Sequence, residues 1–308
     1  MAQEILWQRK DLLGLQGLSA SEIGSILDAA ASFKARKTSE ELSGRTVAFL
    51  FSEPSTRTRS SFEVAARRLG GEVLGFATAS SSLLKGESLF DTIRNLESMG
   101  VEYFIVRHEV SGAIDELSKT VKSSLINAGD GAHEHPTQGL LDIFTLREKK
   151  GQIKGLKVVI VGDILHSRVA RSNIHGLKAL GAKVTVCGPS ALIPKGIEKL
   201  GVTVSHDLDS ALTGADAVNV LRLQLERQKQ NLVTSVADYY DAFGVSSKRL
   251  AKVPDCLILH PGPMNRGVEI SSEAADGANS VILDQVENGV YIRMAVLSMI
   301  QAWRSQNV

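Results

Sequence analysis

The sequence predicts an α/β protein made of two Rossmann-like domains, each a parallel β-sheet flanked by helices. Short apolar runs rich in β-branched residues alternate with segments of helical periodicity, which is the pattern of βαβ units. The 308 residues are long for a single hydrophobic core, so two domains are expected. A polar, glycine-punctuated stretch at 150–155 divides the two halves.

Both halves show the same alternation of strands and helices. In the first half, a helix is predicted over 60–69, where Gly70–Gly71 ends it, and another over 89–99, which Gly100 ends. A long helix is predicted over 137–149. The predicted strands are 46–51, 72–76, 103–107 and 124–127 in the first half, and 157–161, 183–187, 202–205, 217–221 and 257–260 in the second.

The end of the long helix gives the predicted domain boundary. We expect one domain over residues 1–149 and a second over 150–283. The last helix, near 284–304, has no strand left to connect in its own half. We therefore expect the segment 284–308 to pack back on the first domain.

Composition limits the classes of partner. The formal net charge is +1, so no broad basic field is available for nucleic acid or an acidic membrane surface. Cys187 and Cys256 lie in apolar runs, which predicts buried free thiols in a reducing compartment. The first residues lack an uninterrupted apolar stretch of signal-peptide type, and no run approaches the roughly eighteen apolar residues of a membrane helix. A cytoplasmic protein is expected.

An anion site is predicted where the strand 46–51 gives way to the helix that follows. A turn containing Pro54 leads to Ser55, Thr56, Arg57 and Thr58. Unpaired N–H groups and the helix dipole favour an anion there, and hydroxyls around a guanidinium suit the oxygens of a phosphate. An ordinary N-cap explains one hydroxyl but not three of them packed around an arginine.

Two further segments could contribute cations to the same edge. Arg107 ends a predicted strand, and ligands of open α/β sheets bind beyond the carboxyl ends of strands. An arginine that simply extends into solvent explains Arg107 equally well. Ser81 and Lys85 lie in a polar loop that could reach a phosphate, although an ordinary solvated loop is an equal alternative.

The His-x-His spacing of His133 and His135 raises the alternative of a metal site. No third ligand has a supporting spacing, and Pro136 fixes His135 at a helix entry. We favour an imidazole that donates to a substrate oxygen, with Gln138 one turn along the helix. No metal is predicted.

The second half offers cations rather than a dinucleotide site. Gly162 is followed by Asp, Ile, Leu and His where a nicotinamide fingerprint needs glycines. Arg168 begins a predicted helix, and Arg222 and Gln224 lie two apart on an extended segment. Two arginines could clamp two carboxylates, and a solvated charged loop is the alternative. The turn at 260–263, His-Pro-Gly-Pro, is by default structural.

Taken together, these motifs resemble those of the aspartate carbamoyltransferase catalytic chains of the transcarbamoylase family. The resemblance covers essentially the whole chain, with the motifs in the family's order. They are 55–58, 85–87, 107–108, 135–138, 162–163 with Arg168, 222–224 with Arg227, and 260–263.

The ornithine carbamoyltransferases share the fold and the phosphate loop. They carry a cysteine in a His-Cys-Leu-Pro turn and a Ser-Met-Gly loop for ornithine. Here the turn has no cysteine, and no Ser-Met-Gly occurs in the chain. The cations Arg168 and Arg222 suit a dicarboxylate rather than the amine of ornithine. The resemblance therefore favours aspartate as the acceptor.

The resemblance implies transfer of a carbamoyl group from carbamoyl phosphate to L-aspartate, a step of pyrimidine biosynthesis, in a homotrimer. It implies no cofactor, and it makes regulatory or dihydroorotase subunits possible partners. Arg57, Thr58, Arg107 and His135 take the catalytic roles. The carbamoyl-phosphate residues are Ser55, Thr56, Arg57, Thr58, Ser81, Lys85, Arg107, His135, Gln138, Gly262 and Pro263. The aspartate residues are Lys85, Arg168, Arg222 and Gln224, with Ser81 and Lys85 donated by the neighbouring subunit.

Two hypotheses of other classes stay open at this point. A dinucleotide-dependent oxidoreductase has the same kind of domains, but the missing glycines after Gly162 disfavour it. A non-catalytic relative that binds carbamoyl phosphate is disfavoured because every expected catalytic position is occupied.

Overall fold

The computed structural model describes residues 7–75, 87–223 and 235–308. The chain divides into two compact units. The first unit holds the chain up to Leu140 together with Glu287–Val308, and the second is Leu141–Val286. One division falls inside the long helix whose end gave the predicted domain boundary, and the other falls inside the last helix.

The first unit is built on a four-stranded parallel sheet of order β2-β1-β3-β4. Its strands are β1 Thr46–Phe51, β2 Glu72–Gly75, β3 Tyr103–His108 and β4 Ser124–Asp130. Its helices are α1 Ala20–Arg36, α2 Thr56–Arg68, α3 Leu89–Ser98 and α4 Ala113–Ser118, followed by α5 Pro136–Lys150, which continues into the second unit.

The second unit is built on a five-stranded parallel sheet of order β7-β6-β5-β8-β9. Its strands are β5 Lys157–Val161, β6 Lys183–Cys187, β7 Thr203–Ser205, β8 Ala217–Val220 and β9 Leu257–Leu259. Its helices are α6 Arg168–Ala179, α7 Leu208–Leu212, α8 Val236–Phe243, α9 Ser247–Leu250, α10 Ser272–Ala275 and the start of α11 Ile282–Asn307.

The predicted α/β fold with two parallel sheets is confirmed, and each predicted strand has a counterpart within a few residues. The helix predicted over 60–69 begins earlier, at Thr56. It begins there because Ser55, directly after Pro54, already takes the extended N-cap conformation. Helix α1 was not predicted, although Ser19 and Glu22 form a capping box at its start.

The last helix packs on the first unit, as predicted. The guanidinium of Arg293 lies 4.8 Å from the ring centroid of Phe62, and that of Arg304 lies 5.5 Å from the ring of Tyr103. Arg304 also donates to the carbonyl of Lys122 at 3.3 Å. Cation–ring contacts of this kind add to the burial of the apolar face of the helix.

Both cysteines are buried free thiols, as the sequence predicts. Burial raises the pKa of the Cys187 thiol to about 12 and that of Cys256 to about 12, so both stay protonated at neutral pH. Across the described ranges, none of the helices has the length and apolar character that crossing a bilayer requires.

The N-terminal segment carries a partly buried acid beside β4. One carboxylate oxygen of Asp11 accepts the N–H of Leu125 at 2.7 Å, and the Lys10 ammonium lies 3.7 Å from the other. Burial raises the pKa of Asp11 from 3.8 to about 6. The folded chain thus holds this proton at pH values where the unfolded chain has released it.

We expect this carboxyl to lower the free energy of unfolding as pH rises from about 4 to about 6. Asp11→Asn removes the titration but keeps an acceptor for Leu125. Its stability relative to the wild type should therefore rise by roughly 2–3 kcal/mol across that window. Urea unfolding at pH 4, 5, 6 and 7 measures the difference, and parallel curves for the two proteins would contradict it.

Candidate active site

The N-terminus of α2 is arranged differently from an ordinary helix cap. Ser55 stands at the N-cap position, yet its side chain makes no cap hydrogen bond. Its hydroxyl instead accepts from Nη1 of Arg107 at 3.1 Å. The first turn of α2 also contains no acidic residue. These features leave the positive end of α2 suited to an anion, beside the hydroxyls of Thr56 and Thr58.

Arg107 lies next to this helix start because β1 and β3 pair in parallel, with Phe51 opposite Arg107. Its Nε donates to Oε2 of Glu53 at 3.1 Å. Glu53 therefore orients the guanidinium, a role that the sequence analysis missed. A carboxylate two residues before Ser55 in the same turn was the available signal.

His135 comes to the same cluster from the end of β4. Its Nε2 lies 3.5 Å from Oγ1 of Thr58, and both residues are buried. This distance is at the long end of the range for hydrogen bonds. Gln138, one turn into α5, is buried as well. Neighbouring strands β1, β3 and β4 thus bring Ser55, Arg107 and His135 together.

The two histidines of the His-x-His motif have different partners. His133 Nδ1 lies 2.9 Å from Asp130 and 3.9 Å from Asp115, whereas His135 faces Thr58. Among the described residues, Asp115, Asp130 and His133 have ligand atoms close enough to share an ion. The Asp130 carboxylate already accepts several N–H donors, so a hydrogen-bond network explains the cluster. Burial raises the pKa of Asp115.

Arg168 and Arg222 follow adjacent parallel strands of the second unit. Arg168 begins α6 and is buried, and the Ser167 side chain caps the helix by accepting from Ala170 at 3.1 Å. Arg222 follows β8, which pairs with β5. At Gly162 a Cβ would lie 2.9 Å from the carbonyl oxygen of Leu221, and φ is +127°. Glycine there lets the carboxyl ends of β5 and β8 approach closely.

The turn after β9 is held by a buried acid that the sequence analysis missed. His260 Nδ1 accepts the N–H of Gly262 at 2.8 Å, so its protonated Nε2 donates to Glu269 at 3.2 Å. Glu269 also accepts the N–H groups of Asn265 at 2.6 Å and Leu223 at 3.5 Å. It therefore ties the 260–263 turn, whose Gly262–Pro263 bond is cis, to the segment that carries Arg222.

A second missed acid, Asp142, lies in the part of α5 that belongs to the second unit. Its buried carboxylate accepts from the side-chain amides of Asn173 at 2.7 Å, Asn219 at 3.0 Å and Gln285 at 2.6 Å. The Gln285 oxygen accepts the N–H of His260 at 2.9 Å. Through Gln285, Asp142 thus fixes the position of His260 at the start of the 260–263 turn.

Arg57 lies exposed in the first turn of α2. The other predicted site residues, Ser81, Lys85 and Gln224, lie outside the described residues. Their predicted contributions stay predictions.

Comparison with known sequences decides the family. The profile of the carbamoyl-phosphate-binding domain of aspartate/ornithine carbamoyltransferases matches residues 10–148, and that of their Asp/Orn-binding domain matches residues 154–300. The chain belongs to the aspartate/ornithine carbamoyltransferase family. This membership agrees with the resemblance seen in the sequence.

Among its relatives are two named aspartate carbamoyltransferase catalytic subunit. The protein of Desulforamulus reducens is 55% identical over 302 residues, covering 96% of this chain and 97% of the relative. That of Carboxydothermus hydrogenoformans is 56% identical over 300 residues, covering 95% and 96%.

Solved structures of this family share the fold whichever acceptor they use. Aspartate transcarbamoylase of Trypanosoma cruzi, in complex with carbamoyl phosphate and aspartate, has a TM-score of 0.86 at 29% identity, covering 94% of this chain and 96% of that one. Ornithine carbamoyltransferase of Pyrococcus furiosus has a TM-score of 0.85 at 33% identity, covering 96% and 98%. The fold therefore does not distinguish aspartate from ornithine as the acceptor, whereas the side chains and the sequence relatives do.

Proposed function

We propose that the chain is an aspartate carbamoyltransferase, which transfers the carbamoyl group of carbamoyl phosphate to L-aspartate and yields N-carbamoyl-L-aspartate and phosphate. Arg168 and Arg222 carry the choice of acceptor, because two arginines beyond neighbouring strands suit a dicarboxylate. Relatives more than half identical over nearly the whole chain support the same reaction.

In this proposal the first unit binds carbamoyl phosphate. The start of α2 binds the phosphate through its N–H groups, through the hydroxyls of Ser55, Thr56 and Thr58, and through Arg57. Arg107, oriented by Glu53, bridges the phosphate and the carbonyl oxygen. The contact between Ser55 and Arg107 supports this arrangement, because it already places a hydroxyl and a guanidinium side by side.

The proposed chemistry is attack by the neutral amine of aspartate on the carbonyl carbon. A C–N bond forms and a negative charge develops on the carbonyl oxygen, near Arg107, Thr58 and His135. Removing one such preorganised donor typically costs about 2.7–4 kcal/mol of transition-state stabilisation. The C–O bond to phosphate then breaks, and the departing phosphate accepts the proton of the amine. Gln138, with Gly262 and Pro263, holds the carbamoyl nitrogen.

The second unit binds aspartate through Arg168, Arg222 and Gln224, with Lys85 completing the set. Nucleophile, electrophile and leaving group all come from the substrates, so the proposed reaction uses no cofactor and no metal. Family membership, rather than the fold alone, supports a homotrimer in the cytoplasm whose Ser81 and Lys85 act in the neighbouring site. Regulatory or dihydroorotase subunits are possible additional partners.

A product assay tests the proposed function directly. The purified chain is supplied with carbamoyl phosphate and either L-aspartate or L-ornithine, and the carbamoylated product is identified by mass spectrometry. We expect carbamoyl-aspartate and no carbamoyl-ornithine, because Arg168 and Arg222 repel the ornithine amine. Formation of citrulline, or of neither product, would contradict the proposal.

Arg222→Ala serves as the diagnostic variant in this assay. Loss of two charge-assisted hydrogen bonds should raise KM for aspartate at least about 100-fold, while calorimetry shows carbamoyl phosphate binding within about threefold of the wild type. The matched control is Lys252→Ala, an exposed cation of the same unit that contacts Asp209, and it should leave both parameters unchanged.

Shared sites in a homotrimer predict complementation between inactive chains. In the proposed trimer each site takes Arg57 from one subunit and Lys85 from the neighbouring subunit. Trimers that mix Lys85→Ala and Arg57→Ala chains therefore contain some sites that are wild type at both positions. Dissociating and reassociating the two variants together should therefore restore activity well above either one alone. Activity that stays at the single-variant level after confirmed mixing would show that Lys85 acts within its own chain.

A further inference from the structure

The N-terminal segment covers the open edge of the first sheet. β4 is an edge strand, and residues 11–16, here called the N-terminal strap, run beside it. Leu12 donates its N–H to Leu125 at 3.0 Å and accepts that of Asn127 at 2.9 Å. The Asn127 side-chain amide donates to the carbonyl of Leu13 at 2.7 Å. The strap thereby satisfies backbone groups that an edge strand leaves exposed.

The last two residues of the strap, Leu15 and Gln16, bind the side chain of Glu134, the residue immediately before His135. Glu134 is 1% exposed. One carboxylate oxygen accepts the N–H of Leu15 at 2.8 Å and the other accepts that of Gln16 at 3.0 Å. A buried carboxylate is tolerated only when its oxygens have such donors. Glu134 is therefore fixed by two backbone bonds from a distant part of the chain.

Gly14 gives this carboxylate the space that it occupies. A Cβ built on Gly14 would lie 2.5 Å from Oε1 and 2.9 Å from Cδ of Glu134. No positive φ is involved at Gly14, so glycine is required there for room rather than for backbone conformation. With a side chain at residue 14, either the Glu134 carboxylate or the strap has to move, which disturbs the two hydrogen bonds between them.

The same loop is held from its other side by Asp130, which is fully buried. One oxygen of its carboxylate accepts the Glu134 N–H at 3.1 Å and the Asn127 side-chain amide at 2.8 Å, and the other accepts the Gly112 N–H at 2.7 Å. The Asp130 N–H donates to the Glu134 carbonyl at 3.2 Å. Residues 130–134 thus form a closed loop whose exit direction is set by Asp130 and Glu134.

We propose that Glu134 is a positioning residue for the transfer reaction. Fixed by the strap, it sets where His135 enters α5 and hence how the imidazole lies against Thr58. It does not contact substrate itself. This inference rests on the proposed function, in which His135 stabilises the charge developing on the carbonyl oxygen. What it adds is that the close packing of Gly14 against Glu134 sets the position of His135.

A double-mutant cycle tests the proposal with Gly14→Ala, Glu134→Ala and the two combined. A displacement of about 1 Å at a catalytic group can cost on the order of 100-fold in rate. Each single variant should therefore lower kcat about 10- to 100-fold. KM for aspartate should stay within about twofold, because Arg168 and Arg222 belong to the other unit. The double variant should be no slower than Glu134→Ala, since the alanine at residue 14 then meets no carboxylate.

Glu134→Gln is the conservative variant and keeps one of the two acceptor oxygens, so its kcat should lie between those of the wild type and Glu134→Ala. It replaces Glu134→Ala in the cycle if thermal unfolding shows that the latter is not folded at the assay temperature. Gly24→Ala is the matched glycine control, because nothing lies within 4 Å of the added Cβ. Its kcat and KM should equal those of the wild type.

Two results would overturn the proposal: a kcat within twofold of the wild type in Glu134→Ala, or a double variant whose loss is the product of the two single losses. A variant in which KM for aspartate rises by the same factor as kcat falls would also count against the proposal, since that indicates a general loss of structure. Failure of the proposed function has a separate appearance, namely wild-type protein that forms no carbamoyl-aspartate.

Discussion

The proposed site has to overcome the electrostatic repulsion between its two anionic substrates, carbamoyl phosphate and aspartate. Two like charges about 4 Å apart repel by roughly 1 kcal/mol in water and about 4 kcal/mol at the effective dielectric constant near a protein surface. The chain's net charge of +1 supplies no general attraction. The necessary cations must therefore be local. Parallel sheets provide them, because every strand of a sheet ends at the same edge and can place an arginine there.

Holding those cations in place depends on acids: Glu53 is partly buried, and Glu269 and Asp142 are fully buried. Glu53 orients Arg107, and Glu269 connects the segment of Arg222 to the 260–263 turn. Asp142 accepts three side-chain amides and, through Gln285, fixes the same turn. Each of these carboxylates is satisfied within its own unit. Donors held in this way need little reorganisation when charge develops during the reaction.

The strands, and a candidate site at their carboxyl ends, could be predicted from the sequence because both depend on local patterns. Runs such as 157–161 are apolar and β-branched, and the polar motifs come directly after them. The acids that hold the site could not be predicted in the same way. Glu53 and Arg107 are 54 residues apart, and Asp142 and Gln285 are 143 apart, so only the folded chain brings them together.

Ser55 shows where sequence alone left two interpretations. Its position fits an ordinary helix cap, and the structure places it at the N-cap position with its hydroxyl directed to Arg107 instead. The reaction itself was predicted only through the family resemblance, since residue chemistry does not distinguish carbamoyl transfer from other chemistry on phosphorylated substrates. The individual site residues stay predictions.

A crystal structure of the chain with bound carbamoyl phosphate would show whether the start of α2 binds the phosphate. We expect phosphoryl oxygens about 2.7–3.2 Å from the hydroxyls of Ser55, Thr56 and Thr58 and from the guanidinium of Arg57, the range of ordinary hydrogen bonds. We also expect the carbonyl oxygen beside Arg107 and His135. A phosphoryl group bound away from the start of α2, with these side chains untouched, would contradict this expectation.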